Sequence, residues 1–302
     1  MNDEEGVVRQ KVVSPAAIEL GLGLRAVRKE RQVGVRELAS GLGIEPSLVS
    51  LAELATRPPN VEYVSRVLGF LAVSGDEYRW LVKLAHRVKE PNWVVPGAVE
   101  YPELLLEYER TASTVVLWAP QVLPDLVQTP DYARSVLDSG ILTGDEMGQC
   151  QMMRLVRRDA VFFENSRATI TLFLNAEVLV RRVGGVGVIR EQLRELLSLM
   201  DDGRVVVRIM PTDPGGRPGL LSPFMLFGFH TRAPVVGICE DHLYAYLAEQ
   251  VHVRRYRTFA DRLARNALDE RPSRVRIVEA ITELEQDSDG SSGHEVPAPL
   301  AG

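Results

Sequence analysis

At 302 residues the chain has room for about two domains of ordinary size and can bury enough surface to need no metal or disulfide staple. It is 45% apolar and 25% charged, as expected of a globular chain, and its net charge of −6 excludes a general polycation while allowing a local basic face. Cys150 and Cys239 are too few and too far apart for a disulfide framework or a Cys-x-x-Cys site, and no apolar run reaches the roughly 18 residues of a membrane span. The acidic start Met1-Asn2-Asp3-Glu4-Glu5 is unlike a signal peptide, so the expectation is a cytoplasmic protein with no membrane association.

Residues 1–14 read as a flexible arm, and five short helices are predicted over residues 15–90. Pro15 suits a first helical position, and Ile18, Leu22, Leu24 and Val27 form an apolar stripe up to Arg31. Gly34 breaks the chain; Val35 to Leu42 is a second helix closed by Gly43; Pro46 opens a third that runs to about Leu54. Asn60 caps a fourth with Val64, Val67, Leu68 and Leu71. Ser74-Gly75-Asp76-Glu77 reads as a capping box for a fifth.

Three prolines and a glycine in residues 91–102 predict a linker, and residues 103–285 then mix helices and strands. Thr129-Pro130 starts one helix and Thr143 to Glu146 caps another. The runs Ala168–Leu174, Val205–Met210, Phe224–Phe229 and Val235–Cys239 read as strands, the last two joined by a hairpin connection. Ile189, Leu193, Leu196, Leu197 and Met200 mark a helix between the first two strands, and two helices follow the last, one with Val251, Tyr256, Phe259 and Leu263, the other with Val275, Val278, Ile281 and Leu284. From Gln286 to residue 302 the composition cannot bury a core and predicts a disordered tail.

The sharpest local pattern is Ala39–x3–Gly43–x5–Val49. Two short helices crossing steeply need a small residue where they touch, a residue tolerant of positive φ in the turn, and an apolar residue on the inner side of the second helix. Ala39, Gly43 and Val49 supply these in order, with a helix before the pair and two after it.

With Leu24 to Glu30, Val35 to Ile44 and Pro46 to Ser50, this region resembles the XRE-type (lambda-repressor-like) helix-turn-helix DNA-binding domain. The remainder is similar to the regulatory domain that follows it in a large group of actinobacterial regulators. That similarity rests on Pro120 to Arg134, on Gly184-Gly185 before Glu191-Gln192-Leu193, on Val207 to Pro211, on Gly219 with Ser222-Pro223-Phe224, and on Glu240 to Tyr246. Such proteins are commonly described as antitoxin-like transcriptional regulators, frequently encoded beside a small partner protein. The resemblance implies an α+β protein: a five-helix domain followed by a mixed α+β domain, for which we expect a mostly antiparallel sheet.

The second helix of the pair departs from the family pattern. The family usually carries Arg or Lys near the positions of Leu48 and Leu51, yet no Lys or Arg lies between Arg36 and Arg57, while Glu37, Glu45 and Glu53 are acidic. DNA affinity comes largely from neutralised phosphates, so this helix must lean on cations around it. Arg28, Arg36 and Arg57 are the expected phosphate contacts, with Arg25, Lys29 and Arg31 nearby. Ser47 and Ser50 suit base edges, Leu48 and Leu51 a thymine methyl, and Glu45 a cytosine amino group. Residues 1–89 carry 13 basic against 11 acidic side chains, so the charge asymmetry is small.

Expected partners are double-stranded DNA at a promoter or operator, a second copy of the chain, and a small-molecule effector or small partner protein acting on the second domain. No cofactor, metal site or enzymatic activity is expected. The rival reading is an antitoxin-like interaction module whose helix-turn-helix no longer binds DNA strongly. A more distant one is an enzyme built on Glu240 and His242, since none of the five histidines has metal-ligand spacing and no Gly-x-Ser-x-Gly elbow is present. Gly184-Gly185-Val186-Gly187 lacks the ending of a phosphate loop and reads as a turn before a helix. Trp93, Trp118, Phe162, Phe163, Phe224 and Phe227 fit core packing or a pocket lining, and Gln121 to Tyr132 fits a structural staple or a partner-receiving segment.

Overall fold

The computed structural model describes residues 13–95, 103–138, 144–162, 168–211, 222–230, 233–240 and 243–290. The expected arm (except its last two residues), Thr143, the Pro214–Gly219 loop, Asp241, His242 and residues 291–302 lie outside them. The described chain is α+β, with twelve α-helices and mixed strand pairing. It forms two compact units, Met1–Ser113 with Leu226–Arg257 and Thr114–Met225 with Thr258–Gly302.

The first unit opens with α1 (Pro15–Glu30), α2 (Val35–Leu42), α3 (Pro46–Glu53), α4 (Val61–Phe70) and α5 (Gly75–Arg87). Local chemistry explains most of their ends. Ser14 Oγ accepts from the Ala17 N–H at 3.1 Å with Pro15 in the first helical turn, and Asn60 Oδ1 accepts from the Tyr63 N–H at 2.8 Å. The capping box expected at Ser74 does not form: Ser74 is the N-cap residue of α5 but its side chain makes no cap bond, and Gly75 in the first helical position has a φ of +71°. At α2, instead, the Glu37 carboxylate accepts from the Gly34 N–H. Helix α1 buries Ala16, Ala17, Ile18, Leu20, Leu24 and Val27 against α3 and α5, with Leu81, Leu84 and Ala85 of α5 buried likewise. At Gly21 a Cβ would lie 2.5 Å from the Glu53 carbonyl oxygen, so α1 and α3 approach at backbone distance.

Part of the segment predicted as a linker is strand β1 (Asn92–Val95). It pairs antiparallel with β7 (Leu243–Leu247), and β7 with β6 (Val235–Glu240), Leu247 facing both Asn92 and Val236. Asn92 and Glu249 exchange hydrogen bonds across the end of that ladder. The prolines bound β1 rather than interrupting it, and Asn-Trp-Val-Val finds a partner some 150 residues away that a local reading cannot see. Helix α6 (Glu103–Thr111) contributes Tyr108, whose buried ring lies 5.6–5.7 Å from those of Phe227, Phe229 and Tyr246. Strand β5 (Phe224–Gly228) crosses from the second unit into the first along the chain.

In the second unit β2 (Thr114–Ala119), β3 (Thr169–Asn175) and β4 (Val206–Met210) pair in parallel, β3 in the middle, Leu172 facing both Leu117 and Val207. With β1–β7 and β6–β7 antiparallel, the strand pairing is mixed where a mostly antiparallel sheet was expected. Each of these connections contains helices: α7 (Pro130–Leu137) and α8 (Gly144–Phe162) between β2 and β3, then α9 (Glu177–Val180) and α10 (Val186–Asp201) between β3 and β4. A crossover of that length returns the chain to the same end of the sheet, which a hairpin cannot do. Gly184 and Gly185, with φ of +70° and +90°, make the turn into α10. Helix α11 (Gln250–Asn266) leads to α12 (Glu270–Gly290), which runs on past Gln286. Their connection and the first turn of α12 cap the β4 edge: Ser273 Oγ accepts from the Ile209 N–H at 2.9 Å, and the Leu268 N–H reaches the Ile209 carbonyl at 2.9 Å.

Candidate nucleic-acid interface

Helix α2 ends at Gly43, whose φ of +66° and ψ of +38° turn the chain, and Gly43 to Glu45 lead into Pro46 at the start of α3. Ala39 and Val49 are each 1% exposed, so the small residue on α2 and the apolar one on α3 are both buried. The Ile44 N–H returns to the Ala39 carbonyl at 3.0 Å, and the Leu48 N–H to the Glu45 carbonyl at 2.9 Å. Burial of Val49 and Ala52 leaves Glu45 and Ser47 exposed and Leu48, Ser50 and Leu51 partly exposed. Ser50 Oγ donates to the Pro46 carbonyl at 3.4 Å, and Leu54, just past the helix, is 64% exposed.

Arg28 does not belong with this surface. Its guanidinium is buried and donates to both Glu53 carboxylate oxygens, at 2.6 and 2.8 Å, and to the Val33 carbonyl at 2.9 Å. The hydrogen bonds to Glu53 hold its pKa above the ordinary arginine value against the opposing cost of burial. Three of its five N–H groups are spent on Glu53 and the Val33 carbonyl and the residue is buried, so Arg28 leaves the set of phosphate contacts.

The same pairing alters the electrostatics of α3. Glu53 is neutralised from within and Glu37 serves the Gly34 N–H, leaving Glu45 as the carboxylate of the three that stands open at the turn. Arg36 and Arg57 are both exposed, with no ion pair among the described residues. Arg36 occupies the first turn of α2, where a cation opposes the helix dipole, so it does not stabilise its own helix. Exposed Arg25 and Lys29 lie on α1, whereas Arg31 is held by Glu30 and the Leu71 carbonyl. A cation not singled out from the sequence, Arg66 on α4, donates to the Leu42 carbonyl at 2.6 Å, at the end of α2.

The Gln121 to Tyr132 segment is a buried polar network. Gln128 Nε2 donates to the Leu123 carbonyl at 2.5 Å, and the Leu123 N–H donates to the Tyr132 hydroxyl at 3.3 Å. Gln192 of α10, fully buried, accepts from the Thr129 N–H at 2.6 Å and donates to the Val127 carbonyl at 2.8 Å. Arg154 and Arg157 of α8 share Asp125, and Arg154 also donates to Gln128 Oε1 at 2.7 Å. Gln128 and Tyr132 are spent on holding backbone, as in a structural staple, while Gln121 is exposed. Trp118 and Phe224 pack on Phe259 at 6.4 and 5.9 Å as core, Phe162 and Phe227 are buried, and the side chain of Trp93 and residue Phe163 lie outside the described residues. Among the described residues no three His, Cys, Asp or Glu side chains are grouped to hold a metal, and no helix is long and apolar enough to cross a membrane.

No curated protein matches the chain. Among solved structures, the archaeal chromatin protein TrmBL2, reported to show a novel mode of DNA binding, is similar at 12% identity and a TM-score of 0.30. The likeness covers 69% of this chain and 62% of that one, so the chain spans less than two thirds of that protein's length, and at such a score nothing about this chain follows from it. A family model matches residues 102–279, more than half of the sequence. The chain belongs to the family described as Domain of unknown function (DUF5753).

Proposed function

We propose that this protein is a DNA-binding transcriptional regulator of the XRE type, with α2 and α3 as its helix-turn-helix and α3 as the reading helix. The observation that carries the reading is the α2–α3 corner itself. Gly43 is left-handed, Ala39 and Val49 are buried, Glu45, Ser47, Leu48, Ser50 and Leu51 are exposed or partly exposed, and the exposed Arg36 and Arg57 stand before and after them in the sequence. In this reading Arg36 and Arg57 hold phosphates and the other five face base edges. One short reading helix gives little affinity, so two copies engage two half-sites, and the 102–279 region sets occupancy through a small-molecule effector or a small protein.

The test is a fluorescence-anisotropy titration of the full chain on footprinted genomic fragments and on random duplex across a salt series. Arg36→Ala and Arg57→Ala should each weaken binding on every sequence and lower the log–log salt slope by about 1; Ser47→Ala should change sequence preference and leave the slope alone. If none of the three registers on DNA that the parent binds, these assignments are wrong.

A second reading has its own support. The exposed side of α3 carries Glu45 and ends at exposed Leu54, an acidic and apolar surface suited to a protein partner. Such a module would show no retention on heparin or random DNA at low salt, where a DNA binder is held.

A further inference from the structure

Helix α12 belongs wholly to the second unit, where it packs on α9, α10 and β4. Ser273, Ile277, Ala280, Ile281 and Leu284 form its buried stripe. The opposite side is open and carries two apolar side chains, Val275 and Val278, 55% and 41% exposed. At about 100° per residue, Arg271, Val275, Val278, Glu279 and Thr282 share an arc of about 100°, with Glu283 at its border. All six are exposed.

Charge along this helix is sorted by sign. Its cations, Arg271, Arg274 and Arg276, all stand before Val278, and its carboxylates, Glu270 apart, all stand after it. Glu270 falls about 140° around the helix from Val275, off the open face. Helix stability does not account for the order, because a helix prefers carboxylates at its amino end and cations at its carboxyl end, and the last turn of α12 holds no base. Local pairing accounts for part of the charge: Arg274 pairs with Asp201 at 3.0 Å and Arg276 with Glu279 at 2.7 Å. Arg271 and Glu283 have no ion pair among the described residues.

We propose that the open face of α12 is a self-association surface, on which a second copy of the chain docks with its own α12 running antiparallel. In a two-fold pair, residue i of one copy meets residue j of the other, and j meets i. Antiparallel helices therefore set the cation half of each copy against the carboxylate half of its partner, twice, with the valines of both copies at the centre. The positions suit such an axis: Arg271 and Glu283 stand six residues either side of Ile277, and Val275 and Val278 bracket it. A parallel pair would set like charges together. Exposed valines within a charged border are the apolar centre and polar rim of a protein interface. A phosphate backbone would be repelled by the carboxylate half, and two valines are too few to enter a lipid surface. This pairing supplies the second copy that the DNA-binding reading above calls for, and rests on that reading only for that use.

The experiment is sedimentation velocity of the full chain over a concentration series at low salt, without DNA. It compares the parent with Arg271→Glu, Glu283→Arg, the double variant of the two, and Val275→Gln/Val278→Gln, all at exposed positions. The parent should dimerise reversibly, and less so as salt rises. Either single reversal sets like charges together at both ends and should raise the dimer dissociation constant at least about tenfold, as should the valine pair. The double variant, and an equimolar mixture of the two single variants, should return it to within about threefold of the parent, because opposite charges then meet again. A parent that stays monomeric throughout the series overturns the proposal. So does a dimer that the single reversals and the valine pair leave unchanged, or a loss that neither the double variant nor the mixture recovers. Anisotropy titration of the same preparations on DNA separates the two readings: a dimer that fails to bind DNA overturns the regulator reading alone, and a monomer that binds DNA overturns this proposal alone.

Discussion

Replacing Glu53 with Ala is expected to destabilise the first unit by about 3 kcal/mol, because it strands the Arg28 guanidinium in a buried position with one carbonyl acceptor. The double change Arg28→Met/Glu53→Leu should cost much less, and a double-mutant cycle from denaturant midpoints measures the difference. Gly21→Ala pushes a Cβ against the Glu53 carbonyl and should cost about 1–3 kcal/mol by the same measurement. Ala72 points the other way. It holds φ at +53° just after α4, exposed, in a position that favours glycine, so Ala72→Gly should stabilise by up to about 1 kcal/mol, seen as a raised Tm.

At the scale of elements, the turn around Asp125–Val127 depends on α10. Gln192→Leu removes the acceptor for the Thr129 N–H and the donor to the Val127 carbonyl together, and should cost about 2–3 kcal/mol. Tyr132 adds a pH signature. Burial raises its pKa, outweighing the Leu123 N–H and the charge of Arg181, which lower it. The neutral phenol is therefore favoured in the folded state, and its contribution is complete below the ordinary tyrosine pKa of about 10 and lost as pH rises through the higher folded value. Denaturant midpoints taken from about pH 9 to 11 should fall, and Tyr132→Phe should flatten that limb.

For the whole molecule, the first unit is built from two distant stretches of chain. Strand β1 takes its hydrogen bonds from β7, and Tyr108 packs on Phe227, Phe229 and Tyr246. A fragment ending at residue 113 would expose an unpaired strand and Tyr108 stripped of the three rings it packs against. It should therefore aggregate or bind a hydrophobic dye in a way the full chain does not, and a soluble, dye-silent fragment would contradict this.

Local chemistry made the five amino-terminal helices legible. Pro15, Gly43, Pro46 and Asn60 act within one turn of chain, and apolar spacing marks the faces that α1, α4 and α10 bury. The Ala39, Gly43 and Val49 triplet could be read for the same reason. Strands β1 and β2 could not, since each pairs with partners far along the sequence, and β7, although it pairs with its chain neighbour β6, could not either; the parallel order of β2, β3 and β4 follows from distant partners too. Nor could spacing tell Arg28 from Arg36. Both are arginines near a turn, but Arg28 lies on the inner side of α1 facing Glu53 while Arg36 is in solvent. Sequence alone determined which residues could carry charge to a surface; only the packing of α1 on α3 decided which of them is consumed inside, because a buried guanidinium must find its carboxylate in three dimensions.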